Sequence, residues 1–122
     1  ISVPEDTVIF MTMNTIDTST EDIDDALIGR MASVFFPPRV EDLDSILIAN
    51  GIEATVAEKI KEIFNVIQSN YPLGHGYLAN FKAGRDFKVY YLSRIRPVLS
   101  NHFDSYKPEV VNQIDNAIDS LF

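Results

Sequence analysis

The stretch from Val8 to Arg30, VIFMTMNTIDTSTEDIDDALIGR, constrains the fold of this chain more than any other. Val8-Ile9-Phe10-Met11 has no polar side chain at alternate positions. A half-buried strand alternates apolar with polar residues. An unbroken apolar run therefore reads as a strand covered on both faces, the habit of parallel sheets with helices on each side. Parallel strands reach their neighbours only through long crossovers, and the sequence offers one other plausible strand, residues 33–36. The first strand is expected to belong to a sheet whose other members are missing from this sequence, which makes the chain part of a larger machine.

The 122 residues, 46% of them hydrophobic, suffice for one modest domain with a real core. The sequence opens on Ile1 rather than methionine, so the true start is expected to have been removed or to lie upstream. No apolar stretch approaches transmembrane length, no signal peptide is visible, and no membrane partner is expected. The absence of cysteine excludes disulfides and thiolate metal sites. The two histidines, His75 and His102, share no helical spacing, which argues against zinc. A cytoplasmic location is the default expectation.

The net charge of −8 is uneven: residues 1–50 hold ten acidic and two basic side chains, and residues 51–122 hold eight of each. Phosphate binding needs clustered cations, so the acidic front half argues against broad attraction to nucleic acid. Lys82, Arg85, Lys88, Arg94 and Arg96 form a locally basic segment. A solvated helix face is the simpler account of that segment; an anion or partner site is the alternative.

The spacing predicts a strand over residues 7–13 and a helix over 20–31. Thr18 and Ser19 each have an acidic residue three positions on, the capping-box pattern. Asp22, Asp24 and Asp25 fall in the early turns, where carboxylates favour the positive end of the helix dipole. A short strand over 33–36 ends at Pro37-Pro38, which lacks two N–H donors and marks an internal boundary. Beyond it Val40, Leu43, Leu47 and Ile48 recur at helical spacing, with Gly51 placed for a C-terminal cap. A helix over 54–70 carries Val56, Ile60, Ile63, Phe64 and Ile67 on one face. Residues 71–76 read as a loop. A helix over 86–102 carries Tyr91, Ile95, Val98 and Leu99, with Pro97 placed to kink or break it. A last helix over 108–121 buries Val111, Ile114 and Ile118. The fold class is thus mainly α with a small α/β remnant, the tail of an α/β layer (1–38) followed by a helical bundle (39–122).

Asn14 follows the expected strand at its carboxyl end, where open parallel sheets bind ligands. A carboxamide there can orient a water or a phosphate oxygen without transferring a proton. On position alone, a turn-forming asparagine is the simpler account. Asp17 and Asp24 can bind a metal or fix a neighbouring base, although no calcium-loop pattern accompanies them. Arg30 is the one cation of the acidic helix and lies near its C-terminus, where the dipole favours a cation. A helix-end arginine can also project into a neighbouring subunit and stabilise a transferring phosphoryl group.

In combination, these residues resemble the AAA+ NTPases, and within them the McrB-type motors of modification-dependent DNA restriction. Those proteins carry a strand ending in TMNTADRS and then a helix ending in D-x-ALRRRF. This chain supplies Thr12-Met13-Asn14-Thr15, Asp17, Ser19, Asp24, Ala26-Leu27 and Arg30 in that spacing. Leu73-Gly74-His75-Gly76-Tyr77 resembles the family's GHSYF-like lid segment, and Ile95-x-Pro97-x-Leu99 with Phe103 its later I-x-PLL…F helix. The chain departs from the pattern at Thr18, Ile28, Gly29 and Met31, where the family has arginines and a phenylalanine. MoxR-type ATPases share the helix-end arginine but lack MNT-x-D.

The resemblance implies the C-terminal part of an AAA+ module: first-sensor strand, arginine-finger helix, short strand, then a helical lid. It implies Asn14 as the first-sensor asparagine, Asp17 beside the attacking water, and Arg30 as a finger acting on a neighbour's nucleotide. It places His75 and Tyr77 in the lid segment that approaches the nucleotide. It implies GTP or ATP with Mg2+ in the intact protein, with none held tightly by this part alone. Implied partners are the rest of the AAA+ core, identical subunits in a ring and a nuclease subunit, with DNA contacted through domains not present here. The sequence contains no G-x-x-x-x-G-K-[ST] and no strand ending in paired acidic residues, so this polypeptide alone is not expected to hydrolyse nucleotide. The alternative is an autonomous helical interaction module without catalytic ancestry.

Overall fold

The computed structural model describes residues 2–12, 25–103 and 107–122, and the chain divides into two compact units, 1–35 and 36–122. The described residues are mainly helical and include no strand.

In the first unit, residues 7–12 run as irregular chain, with Thr7 N–H closing a turn on Pro4 O at 3.1 Å. The strand expected there is not formed over these residues, and Met13 lies outside the described residues. Residues 33–36, expected as a short strand, are irregular too. The physical reason is common to both: a ladder needs a hydrogen-bonded neighbour. Their side chains stay in solvent, Phe10 at 90% and Phe36 at 85% exposure. A short helix, α1 (Asp25–Ile28), ends in a turn in which Arg30 N–H reaches Leu27 O at 3.1 Å and Met31 N–H reaches Ile28 O at 3.2 Å. The helix expected to run to residue 31 thus closes at Ile28; residues 20–24 lie outside the described residues.

The second unit is a helical bundle. Its elements are α2 (Val40–Ala49), α3 (Ala54–Gln68), α4 (Gly76–Ala79), α5 (Phe87–Tyr90), a π-helical turn (Tyr91–Ile95), α6 (Arg96–Phe103) and α7 (Pro108–Leu121). Helix α3 buries Ala57, Ile60, Ile63, Phe64 and Ile67 along one stripe and packs against α2 and α7. Each of the isoleucines and Phe64, removed from water, contributes about 1.5–3 kcal/mol. Lys61 ties α3 to α2 through Asp44 at 2.9 Å while also meeting Glu58 at 2.6 Å. Helix α7 turns Val110, Val111, Ile114 and Ile118 inward. On α2 the inward residues are Leu43 and Leu47, while Ile48, one step round the helix, is 67% exposed.

Glycine decides how α2 ends. Gly51 has φ +74°, a conformation open to glycine and strained for L side chains. Its N–H donates to Ile48 O at 3.0 Å, and Ile52 N–H donates to Leu47 O at 3.1 Å. This pair of bonds is the Schellman closure, and Ile52 packs onto the core beside it.

Residues 87–103 form one uninterrupted helical run in spite of Pro97. Asp86 caps it, its carboxylate accepting from Val89 N–H at 3.1 Å. Ahead of the proline the helix widens into the π turn, in which Arg96 N–H bonds to Tyr91 O, five residues back. The missing N–H at Pro97 is absorbed in this local change of winding, and the expected break does not occur. Residues 71–76, expected as loop, pass into the single turn of α4 at Gly76.

Candidate functional site

Of the five residues singled out in the sequence, Asn14 and Asp17 lie outside the described residues. Arg30 is exposed in the turn after α1. Its backbone N–H closes that turn on Leu27 O.

His75 and Tyr77 sit at the entry to α4 in the second unit. Gly74 and Gly76 flank His75, and a Cβ at either would meet nothing within 4 Å. The chain approaching α4 is therefore open on the outside and closed on the inside, where Leu73 and Leu78 are buried. The His75 ring is half-buried and stacks on Phe64 of α3, with ring centres 5.5 Å apart and planes inclined by 20°. Its Nε2 faces the backbone of Arg39, at 3.0 Å from the N–H and 2.7 Å from the carbonyl oxygen. One nitrogen cannot serve both at once. With Nε2 bare, Arg39 N–H donates to it; with Nε2 protonated, it donates to Arg39 O. Either tautomer fastens the residue that precedes α2 to the entry of α4.

Arg39 also pairs with Asp42 through two bonds of 2.9 Å, Nε to Oδ2 and Nη2 to Oδ1. That fork holds the Asp42 carboxyl below its ordinary range and raises the Arg39 guanidinium above its own, the hydrogen bond being the main cause in each case. Tyr77 is 41% exposed, and its carbonyl accepts a hydrogen bond from Tyr90 Oη at 2.6 Å. His75, Tyr77, Arg39 and Asp42 thus share one corner where α2, α3 and α4 meet. A ligand drawn to His75 Nε2 has to displace the Arg39 backbone, whereas the Tyr77 side chain faces outward.

The basic segment is largely absorbed by contacts within the bundle. Lys82 Nζ donates to Asn50 Oδ1 at 2.6 Å, Lys88 pairs with Asp119 at 2.5 Å, and Arg96 Nε meets both Asp115 oxygens at 3.1 and 3.0 Å. Asp115 also accepts from the buried Tyr91 hydroxyl at 2.8 Å. Burial, and then the neighbouring carboxylate, push the Tyr91 phenol far above its ordinary value.

Sequence reasoning missed the Arg39–His75 contact and the Tyr91–Asp115–Arg96 cluster. The Arg39-x-x-Asp42 spacing carries a readable signal for an ion pair. Nothing local announces that Asp115 meets Tyr91. Among the described residues no three His, Asp or Glu side chains come together in a way that could hold a metal ion, and no helix is long and apolar enough to cross a membrane.

No family model matches the sequence, and no curated protein or solved structure is significantly similar to it.

Proposed function

We propose that the chain is the C-terminal part of a ring-forming AAA+ nucleoside triphosphatase of the McrB type, working in a modification-dependent DNA restriction system. The observation that carries this reading is the exposure of Val8, Ile9, Phe10 and Met11 together with Val34, Phe35 and Phe36. Monomeric proteins rarely leave large apolar side chains in such contiguous runs unless something covers them. A β layer contributed by the rest of an AAA+ core would cover both runs and give them the hydrogen-bonded neighbours they lack. An autonomous helical module has no use for a strand-type run, which is why that rival ranks second. A MoxR-type ATPase is the alternative within the superfamily.

In this proposal Asn14 and Asp17 bear on the γ-phosphate and its water, and Arg30 acts on the nucleotide of the next subunit. Residues 39–122 form the lid, with Tyr77 better placed than His75 to meet a ligand. GTP or ATP and Mg2+ are held by the P-loop part of the module. The described residues form no phosphate cradle of their own, so no chemical step is assigned to this part alone.

Two measurements test the reading. The coding sequence upstream of Ile1 should contain a P-loop and then an acidic strand within a domain length; a start codon at this position supports the interaction module instead. The isolated 122-residue chain should release no measurable phosphate from GTP or ATP and should self-associate through its uncovered apolar runs. Turnover like that of an intact motor, or a strictly monomeric chain, counts against it.

A further inference from the structure

Asn50 is the one asparagine in the sequence that is followed by glycine. In such a pair the glycine nitrogen, with no side chain beside it, is the least hindered nucleophile an asparagine amide can meet. Asparagine is counted among the thermolabile residues. Here every polar group of Asn50 is engaged. Its N–H donates to Ile46 O at 3.0 Å, and its carbonyl accepts from Ala83 N–H at 3.4 Å. Its Nδ2 donates to Ala79 O at 2.8 Å and to Phe81 O at 2.9 Å. Its Oδ1 accepts from Lys82 Nζ at 2.6 Å. The Gly51 nitrogen is committed as well, to Ile48 O at 3.0 Å. One half-buried side chain therefore fastens the end of α2 to the turn that follows α4.

We propose that Asn50–Gly51 is a deamidation site that this latch keeps closed, and that its reaction releases the latch. The Gly51 nitrogen gives its proton to a solvent base and bonds to Asn50 Cγ. The Cγ–Nδ2 bond breaks, and the nitrogen leaves as ammonia. Water then opens the cyclic imide at either carbonyl, leaving aspartate or isoaspartate at position 50. The net change is amide plus water to carboxylic acid plus ammonia, with no redox step. Ring closure requires Nδ2 to leave Ala79 O and Phe81 O, and the Gly51 N–H to leave Ile48 O. The corner must open first. The product carboxylate has no N–H to return to those two carbonyl oxygens and is repelled by their partial negative charge. In isoaspartate the main chain runs through Cγ, one carbon longer, which breaks the register of the Schellman closure. This inference does not depend on the AAA+ reading.

The test follows the peptide containing residue 50 by mass spectrometry in mildly alkaline buffer, using the full chain folded and in urea. Asn65–Val66 and Asn112–Gln113 serve as internal references. In urea Asn50 should convert faster than either reference, and in the folded chain about tenfold or more slowly than in urea, because the corner must open locally. Equal rates in the two conditions overturn the latch, and no conversion in urea overturns the site. A second measurement compares aged wild-type protein, separated by charge, and the Asn50→Asp variant with fresh protein under limited trypsin digestion. Faster cleavage after Lys82 and Arg85 supports release of the turn; unchanged cleavage overturns it.

Discussion

The Tyr91 hydroxyl donates to Asp115 Oδ1 at 2.8 Å, joining the π turn to α7 at a point where the tyrosine is fully buried. Arg96 holds the same carboxylate from its outer side. The two ends of this contact are unequal. Tyr91→Phe removes the donor and leaves Asp115 paired with Arg96, so it should cost about 1 kcal/mol. Asp115→Ala strands a buried hydroxyl and an arginine together, and should cost about 2–3 kcal/mol or more. Urea unfolding monitored by circular dichroism measures both. Equal costs would mean that water replaces the carboxylate at Tyr91.

The same pair sets the alkaline limit of stability. Burial, then Asp115, raise the Tyr91 phenol above its ordinary value of 10.0. Burial raises Tyr71 and Tyr90 as well. A group whose folded pKa is raised contributes stability that is fully present below the unfolded pKa and is lost as pH rises towards the folded one. Stability should therefore be insensitive to these groups near neutrality and fall once pH exceeds about 10, where the unfolded chain ionises and the folded chain does not. Tyr91→Phe should flatten that decline. An unchanged slope would place the alkaline sensitivity elsewhere.

Phe64 and His75 make a second graded prediction. Phe64 is 1% exposed and supports the His75 ring from below. Phe64→Ala should cost about 3–5 kcal/mol, as buried aromatic truncations do. His75→Ala leaves the core filled and removes only the stack and one bond to the Arg39 backbone, so about 0.5–2 kcal/mol is expected. Thermal melts of the two variants give the order. A larger loss for His75→Ala would make the α2–α4 corner, rather than the α3 stripe, the centre of the bundle.

The parts of this fold that could be read in the sequence are those fixed by one helix's own periodicity. Helix α7 was expected over 108–121 and spans Pro108–Leu121; α3 was expected over 54–70 and spans Ala54–Gln68. Gly51 announced the end of α2 because only a left-handed residue completes that cap. The failures need a second element to be present. A strand over residues 7–12 cannot form without a neighbour, however apolar the run. Pro97 does not break its helix, although a kink or a break was expected there, because spacing does not show that a π turn ahead of the ring can take up the missing donor. The Tyr91–Asp115 contact depends on how α7 crosses the π turn, and no local spacing encodes that. Of the candidate site, only His75, Tyr77 and Arg30 fall among the described residues, and the Arg39 backbone that engages His75 belongs to a distant part of the sequence.

Arg30 offers the sharpest test of the motor proposal, because the turn it stands in is closed by its backbone and its side chain is exposed. The turn after α1 is closed by its backbone, so alanine leaves that turn intact. If Arg30 is a finger acting across a ring, Arg30→Ala in the full-length protein should leave nucleotide binding nearly unchanged and lower turnover by about 10³-fold or more. Mixing the variant with wild-type subunits should depress activity beyond simple dilution, since each altered subunit disables its neighbour's site. An unchanged rate would return Arg30 to charge compensation at the end of an acidic helix.

Gly51 and Gly76 separate backbone demand from available space. At Gly51 an added Cβ would meet Ala83 Cβ at 3.7 Å, an ordinary contact, but φ is +74°. The cost of Gly51→Ala is therefore conformational, about 1–2 kcal/mol. Gly51→Asn should cost less, because asparagine tolerates that region. At Gly76, the first residue of α4, an added Cβ meets nothing within 4 Å, and φ is not positive. Gly76→Ala should therefore stabilise the bundle by about 0.4–1 kcal/mol, chiefly by restricting the unfolded chain. Opposite signs in parallel urea melts would confirm that the Schellman closure needs the left-handed residue. A neutral Gly51→Ala would show that the corner at Asn50 shifts to accommodate it, and would weaken the latch proposed there.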